Sequence, residues 1–355
     1  MRGDVQARIT HLGVAVPAER FSQQEVYELI GYRSAAIRKF FLNTEIGYRH
    51  LYRVNAETAP SYEDPNFLLR RFTEGSVSLA KEAIERCLGR AGIEPRQVEF
   101  LAVATSTGYV CPGLSARLMG ALEFPHHLQH TDIVGHGCAG ALPALQRAGD
   151  FARANGGPAL AVAVEVCSAA YYKDASLETV IGNALCADGA AAALLAPSGS
   201  RARPAAAPES RGATVLGFAS ALYPEYLGHV GFDTIDGRHR IRLSKELRTI
   251  SGPVVQDLVK RLLDARGVEA SRVARWVLHP GGVRVIESIK HHLGLRDDQL
   301  AASQHILYHY GNMSSPTVLF VLERVLGSDP PRPGELGVMA ALGPGLCAEG
   351  ALLQF

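Results

Sequence analysis

The sequence predicts an α/β fold made of two similar halves, with helices packed in layers against strands. Three observations carry this. Residues 78–94 (SLAKEAIERCLGRAGIE) and 253–269 (PVVQDLVKRLLDARGVE) share one pattern. Strand-like and helix-like stretches alternate on both sides of the middle of the chain, which argues for α/β layering with helices buried between sheets. Between the halves, APSGSRARPAAAPES, from Ala196, is rich in Pro, Ala, Ser and Arg and reads as a connecting loop. An N-terminal half over residues 1–210 and a C-terminal half over residues 211–355 follow.

Each repeated segment is an amphipathic helix, with apolar residues three and four apart and a glycine stop at Gly92 or Gly267. Each is followed by a polar linker and an apolar run, VEFLAVAT from Val98 and VARWVLHP from Val273, that reads as a buried strand. The same shift sets DIVGHGCAGALPAL, around Cys138, beside YHYGNMSSPTVLF, around Asn312. Both are glycine-containing turns entering a helix. Further on, CADGAAAALL from Cys186 resembles CAEGALL from Cys347. A duplicated fold makes a cleft where its halves meet. Cys138 comes from the first half, and His279 and Asn312 from the second, so the repeat allows them to face one another.

Composition excludes several classes. The chain has 355 residues, 47% hydrophobic and 20% charged, with a net charge of +1. That balance gives no basis for nucleic acid or an anionic membrane as a partner. The start, MRGDVQARITHLGVAV, reads as a strand entry and lacks the basic stretch and apolar run of a signal peptide. No apolar stretch reaches the ~20 residues of a membrane helix; Glu165, Asp188 and Glu349 interrupt the best candidates. The six cysteines include no CxxC pair, which points to a reduced, cytoplasmic chain.

A cysteine in GHGCAG is by itself more often a small buried residue than a nucleophile. Here TDIV reads as a strand and ALPALQRAGDFARAN as a helix, so Cys138 sits on a sharp turn at a helix start. The dipole and open N–H groups there favour a thiolate. Pro143 would clash inside a helix starting directly after Cys138, which moves the first regular turn to Leu142–Pro143. His279, in WVLHPGG, falls at the carboxyl end of a strand, where α/β folds keep their sites. Asn312, in YGNMSS, precedes another helix and would also serve as its cap. His126, His127 and His130, and the pair His305 and His309, lack the Cys or acidic partners of a zinc pattern and read as solvated or packed. Arg201 and Arg203 belong to the linker. No GxGxxG or Walker motif is present.

These motifs give the chain a family resemblance. GHGCAGA, WVLHPGG, YGNMSS and GPGLCAEGALL (from Gly343) together resemble the type III polyketide synthases, the chalcone-synthase-like branch of the thiolase superfamily. IRKFFLNTEI (from Ile37), TSTGYVCPGLSA (from Thr105), CSAAY (from Cys167) and RPGELGV (from Arg332) look most like the bacterial 3,5-dihydroxyphenylacetyl-CoA synthases. The resemblance implies a thiolase-like duplicated αβαβα fold and a homodimer. It implies that Cys138 holds the acyl chain as a thioester, paired as a thiolate with His279. His279 and Asn312 would hydrogen-bond malonyl-CoA as it loses CO2. The expected product is of resorcinol or pyrone type, formed from acyl-CoA and malonyl-CoA without a metal or bound redox cofactor. Cys186 and Ile241 stand where plant enzymes carry gatekeeper phenylalanines. Cys167 and Ala170 replace two cavity threonines, Cys111 replaces a methionine, and Ser314 matches a cavity serine. Arg38 and Lys39 correspond to residues that hold CoA phosphates; their partial match leaves a carrier protein open as donor. The competing readings are a single-round ketosynthase of the ketoacyl-carrier-protein synthase III type and a non-catalytic scaffold of the same fold.

Overall fold

The central strands are apolar on both faces, so each needs helices on two sides to keep water off. The computed structural model describes residues 6–54, 64–198 and 212–355. The first half runs β1 (Ala7–Ala15), β2 (Arg20–Ser22), α1 (Gln23–Ile30), α2 (Ala35–Leu42), β3 (Tyr48–His50), α3 (Pro65–Ala91), β4 (Phe100–Thr105), α4 (Leu114–Ala121), β5 (Gln129–Val134), α5 (Ala141–Asn155), β6 (Ala159–Val166), α6 (Leu177–Leu185) and β7 (Asp188–Pro197). The second runs β8 (Ala213–Leu222), β9 (Val230–Ile235), β10 (Arg238–Leu243), α7 (Leu247–Asp264), β11 (Val273–Leu278), α8 (Val283–Leu293), α9 (Asp297–Tyr310), α10 (Thr317–Ser328), β12 (Leu336–Gly343) and β13 (Cys347–Gln354).

Nine strands join in the order β11-β12-β13-β8-β1-β7-β6-β4-β5. The two parts of this sheet are built alike. The first strands, β1 and β8, pair antiparallel with the last, β7 and β13. Those in turn run antiparallel to β6 and β12, which lie parallel to β4 and β11. In the first part β5 adds a parallel edge. The parts join where Ala7–Ile9 of β1 faces Ala213–Val215 of β8.

Strand alternation sorts the core into layers. On β6, Ala159, Ala161 and Ala163 face a central core with α5 and α10, while Leu160, Val162 and Val164 face α3 and α4. The small inner residues let the two central helices approach closely. On β12, Met339 and Ala341 join the central core, and Val338 and Ala340 pack with Leu258 of α7 and Ile286 of α8. The result is helix, strand, helix, strand, helix, the expected duplicated layering.

One local detail differs from the sequence reading. α7 begins at Leu247, upstream of the repeat, and so encloses Pro253. Its regular turns end at Asp264, and the chain closes at Gly267, φ +59°, where Val268 N turns back to Leu263 O at 3.1 Å. α3 does stop at Gly92, whose φ of +66° is the left-handed cap. Most of the expected linker, with Arg201, Arg203 and the boundary at residue 210, lies outside the described residues. His130 Nδ1 lies 2.8 Å from Ser115 Oγ, and the His305 and His309 rings sit 4.3 Å apart. Among the described residues no three His, Cys, Asp or Glu side chains form a metal-holding group, and no helix is long and apolar enough to cross a membrane.

Candidate active site

Cys138 lies on a 3-10 turn, Gly137–Ala139, between β5 and α5. Backbone glycines make that turn. A Cβ on Gly137 would meet Pro344 Cδ at 2.4 Å, and its φ of +47° suits glycine. The GHGC and GPG motifs therefore touch. Gly137 N donates to Ser106 Oγ at 2.7 Å, tying the turn to the end of β4. α5 starts at Ala141, so Pro143 falls in its first turn, where its missing N–H costs nothing.

His279 follows β11. Its backbone N donates to Ala340 O at 2.9 Å, extending the strand pairing by one residue before Pro280, Gly281 and Gly282 turn the chain into α8. The ring is 4% exposed, and neither nitrogen has a partner among the described residues. Asn312 is held from both sides: its N donates to Leu185 O at 2.9 Å, and its O accepts from Ala187 N at 2.8 Å. Ser314 N donates to its side-chain Oδ1 at 2.8 Å, so the amide cannot be turned over without setting two donors against each other. Nδ2 then donates to Gly281 O at 3.3 Å, beside His279, with a second hydrogen still to give. Cys138 Sγ lies 3.8 Å from Asn312 Oδ1.

All three side chains line one cavity of about 540 Å³. Its walls are largely aliphatic, including Leu185, Leu247 and Val255, and Lys39, Lys245, Arg248 and Arg284 also border it. Those four cations are exposed. Burial pushes the Cys138 thiol up to about 12, and the Ser314 side chain opposes that shift. The side chain is nevertheless partly open to the cavity, where water relieves some of that penalty. Burial likewise pushes His279 down to about 3. Each group taken alone prefers its uncharged form.

A buried carboxylate supports the site. Glu165 Oε2 accepts from Ser106 N at 2.9 Å, Thr107 N at 3.0 Å and Thr107 Oγ1 at 2.9 Å. Its Oε1 accepts from Ser315 Oγ at 2.7 Å. Glu165 thus joins the loop under the Cys138 turn to the loop after Asn312. Desolvation pushes its pKa up, and those hydrogen bonds oppose the shift. A charge within the apolar run AVAVEV was its only sequence signal.

The other expected site residues are placed differently. Cys167, Ala170, Cys186 and Ile241 are buried in one cluster with Tyr27, Phe41 and Tyr171, outside the cavity lining. Cys186 is near enough to Cys138 to raise its pKa slightly. Ser314 is buried and reaches the thiol and, at 3.4 Å, Glu165 Oε1. Cys111 is exposed on the loop after β4. Lys39 borders the cavity, whereas Arg38 points to Gln24 Oε1 at 2.7 Å. Lys245, Arg248 and Arg284 carried no distinguishing signal, since isolated surface charges are ordinary.

Residues 60–265 match the family model described as FAE1/Type III polyketide synthase-like protein, and residues 224–355 that of the chalcone and stilbene synthases, C-terminal domain. A 3,5-dihydroxyphenylacetyl-CoA synthase of Streptomyces toyocaensis is 35% identical, over 98% of this chain and 90% of its own. A 1,3,6,8-tetrahydroxynaphthalene synthase of Streptomyces peucetius subsp. caesius is 29% identical, over 96% and 91%. The crystal structure of PKS-I from the brown alga Ectocarpus siliculosus superposes with a TM-score of 0.88 at 27% identity, covering 99% of each chain. With two halves of thiolase-like design and full-length similarity of this kind, the chain belongs to the type III polyketide synthases, enzymes that join carbon chains by acyl transfer.

Proposed function

We propose that the enzyme extends an acyl group on Cys138 with malonyl-CoA units and closes the product into a ring of resorcinol or pyrone type. The convergence of Cys138, His279 and Asn312, drawn from both halves, on one cavity carries this reading. The thiol attacks the acyl-CoA carbonyl and passes its proton to His279, which returns it to the departing CoA thiolate. Desolvation opposes either charge alone, so thiolate and imidazolium form together and titrate as a pair. Malonyl-CoA then binds with its thioester oxygen toward His279 and the second Asn312 Nδ2 hydrogen. Its carboxylate leaves as CO2, and the two donors stabilise the enolate oxygen. The enolate carbon attacks the Cys138 thioester and expels the Cys138 sulfur, lengthening the chain by two carbons. This chemistry requires no metal or redox cofactor.

CoA is the proposed carrier, supported by the four cations bordering the cavity. Bacterial relatives named 3,5-dihydroxyphenylacetyl-CoA synthase, at 35% and 33% identity, favour a product of that kind from malonyl-CoA alone. Six free thiols, one of them exposed, suit a reducing cytoplasm. A homodimer is part of the proposal, supported by β5 as an open sheet edge with Val134 50% exposed. Purified protein given malonyl-CoA alone, and then a panel of acyl-CoA starters, releases CO2 and yields cyclic products by mass spectrometry. Cys138→Ala abolishes chain extension; unchanged product from that variant would sink the mechanism.

A further inference from the structure

We propose that Arg49 is a positioning residue for decarboxylation, acting on Asn312 through the turn between α6 and β7. The inference rests on the role given above to the Asn312 amide.

Arg49 lies on β3 and is fully buried, at 0% exposure. Its Nη1 donates to Asn183 O at 2.6 Å, Cys186 O at 2.8 Å and Tyr171 Oη at 3.1 Å. Its Nε and Nη2 have no hydrogen-bond partner among the described residues, and none of the described ion pairs includes it. A buried guanidinium without a carboxylate is expensive, and an apolar side chain would fill the space at lower cost. What it grips explains its presence. Asn183 and Cys186 stand at the end of α6, whose last carbonyls lack helical partners and carry the negative end of the dipole. Tyr171 Oη adds a second donor to Cys186 O, at 2.5 Å.

The turn so clamped holds Asn312. Leu185 O and Ala187 N, on either side of Cys186, make the two backbone hydrogen bonds to Asn312 at 2.9 and 2.8 Å. The side-chain stem of Arg49 also takes the space where a side chain on the preceding residue would sit: a Cβ on Gly311 would lie 2.8 Å from Arg49 Cγ, and φ there is +72°. Arg49 therefore requires glycine before Asn312 and holds the turn beside it by hydrogen bonds. A donor serving an enolate oxygen tolerates little displacement, because a shift of about 1 Å costs on the order of 10²-fold in rate.

The test measures CO2 release from radiolabelled malonyl-CoA, alkylation of Cys138 by iodoacetamide, and thermal melting, in Arg49→Met, Arg49→Lys, Tyr171→Phe and Asn312→Ala. Arg49→Met is expected to lower kcat for decarboxylation by about tenfold or more, with KM and the alkylation rate unchanged. Arg49→Lys, which keeps the cation and reaches one carbonyl, recovers part of the loss. Tyr171→Phe gives a smaller loss of the same kind. Wild-type decarboxylation in folded Arg49→Met overturns the proposal, as does a fall in kcat that tracks alkylation and melting temperature. If Arg49→Met does not fold, Tyr171→Phe decides: normal decarboxylation there overturns the proposal. Asn312→Ala separates the two levels. Normal decarboxylation in that variant refutes the Asn312 role itself, whereas a dead Asn312→Ala beside normal Arg49 variants refutes only the positioning role.

Discussion

Glu165 Oε1 accepts a hydrogen bond from Ser315 Oγ at 2.7 Å, while its other oxygen takes the backbone N–H groups of Ser106 and Thr107. One carboxylate thus spans the loops beneath Cys138 and Asn312. The hydroxyl side can reverse its hydrogen bonds, but the backbone side cannot. Glu165→Gln should therefore cost only about 1 kcal/mol in a urea melt, with Ser315 accepting from the new amide. Glu165→Leu leaves buried N–H groups unpaired and should cost about 3 kcal/mol or more, with a parallel loss of CO2 release. Equal stability of the two variants would refute this division.

His279 should control the nucleophile. Burial pushes the Cys138 thiol up to about 12, and an imidazole that takes its proton lowers the apparent value. In His279→Ala the pH profile of iodoacetamide alkylation should move upward, with the rate at pH 7 falling by about tenfold or more. A profile that does not move would remove His279 from proton transfer.

Decarboxylation needs its two oxyanion donors. Asn312→Ala and His279→Ala should each lower CO2 release from malonyl-CoA by about 10²–10³-fold. Near-normal release in either variant excludes that side chain from the role.

His279 also makes stability depend on pH. Its folded pKa is about 3, against the ordinary 6.5 of an imidazole in the unfolded chain. Between those values the unfolded state binds a proton that the folded state refuses. The contribution of neutral His279 is thus complete above pH 6.5 and is lost as pH falls toward 3. At pH 5 the loss is about 2 kcal/mol. Urea melts at pH 7.5 and 5.0 should show His279→Gln losing less stability on acidification than the wild type. Identical losses would contradict a buried neutral imidazole.

The exposed cations at the cavity should act on binding. Lys245→Ala combined with Arg248→Ala should raise KM for malonyl-CoA by roughly fivefold with kcat little changed, and the difference should shrink at high salt. An unchanged KM at low salt would leave the phosphates to other residues.

Much of this is legible in the sequence. The repeat at residues 78–94 and 253–269 implied duplicated halves, and the sheet pairs its strands in the same pattern in both. Cys138, His279 and Asn312 stood out because glycine turns surround them, and glycine marks backbone that bends where a side chain must be presented. Cys167, Ala170 and Ile241 were expected around the substrate, yet they pack with Tyr27, Phe41 and Tyr171. That placement depends on α1 and α2 folding over α6 and the turn after β6, contacts between segments far apart in the chain.

The amino-acid order by itself determined the two halves, the three chemical residues and the turns that carry them, because periodicity and backbone geometry are local properties. Only the tertiary structure decided that Glu165 and Arg49 are buried polar anchors on opposite sides of Asn312. It also decided that Cys138 lines the cavity while Cys167 and Cys186 pack outside its lining. Burial and hydrogen-bond partnership arise when distant segments exclude water together, and one stretch of sequence does not encode them alone.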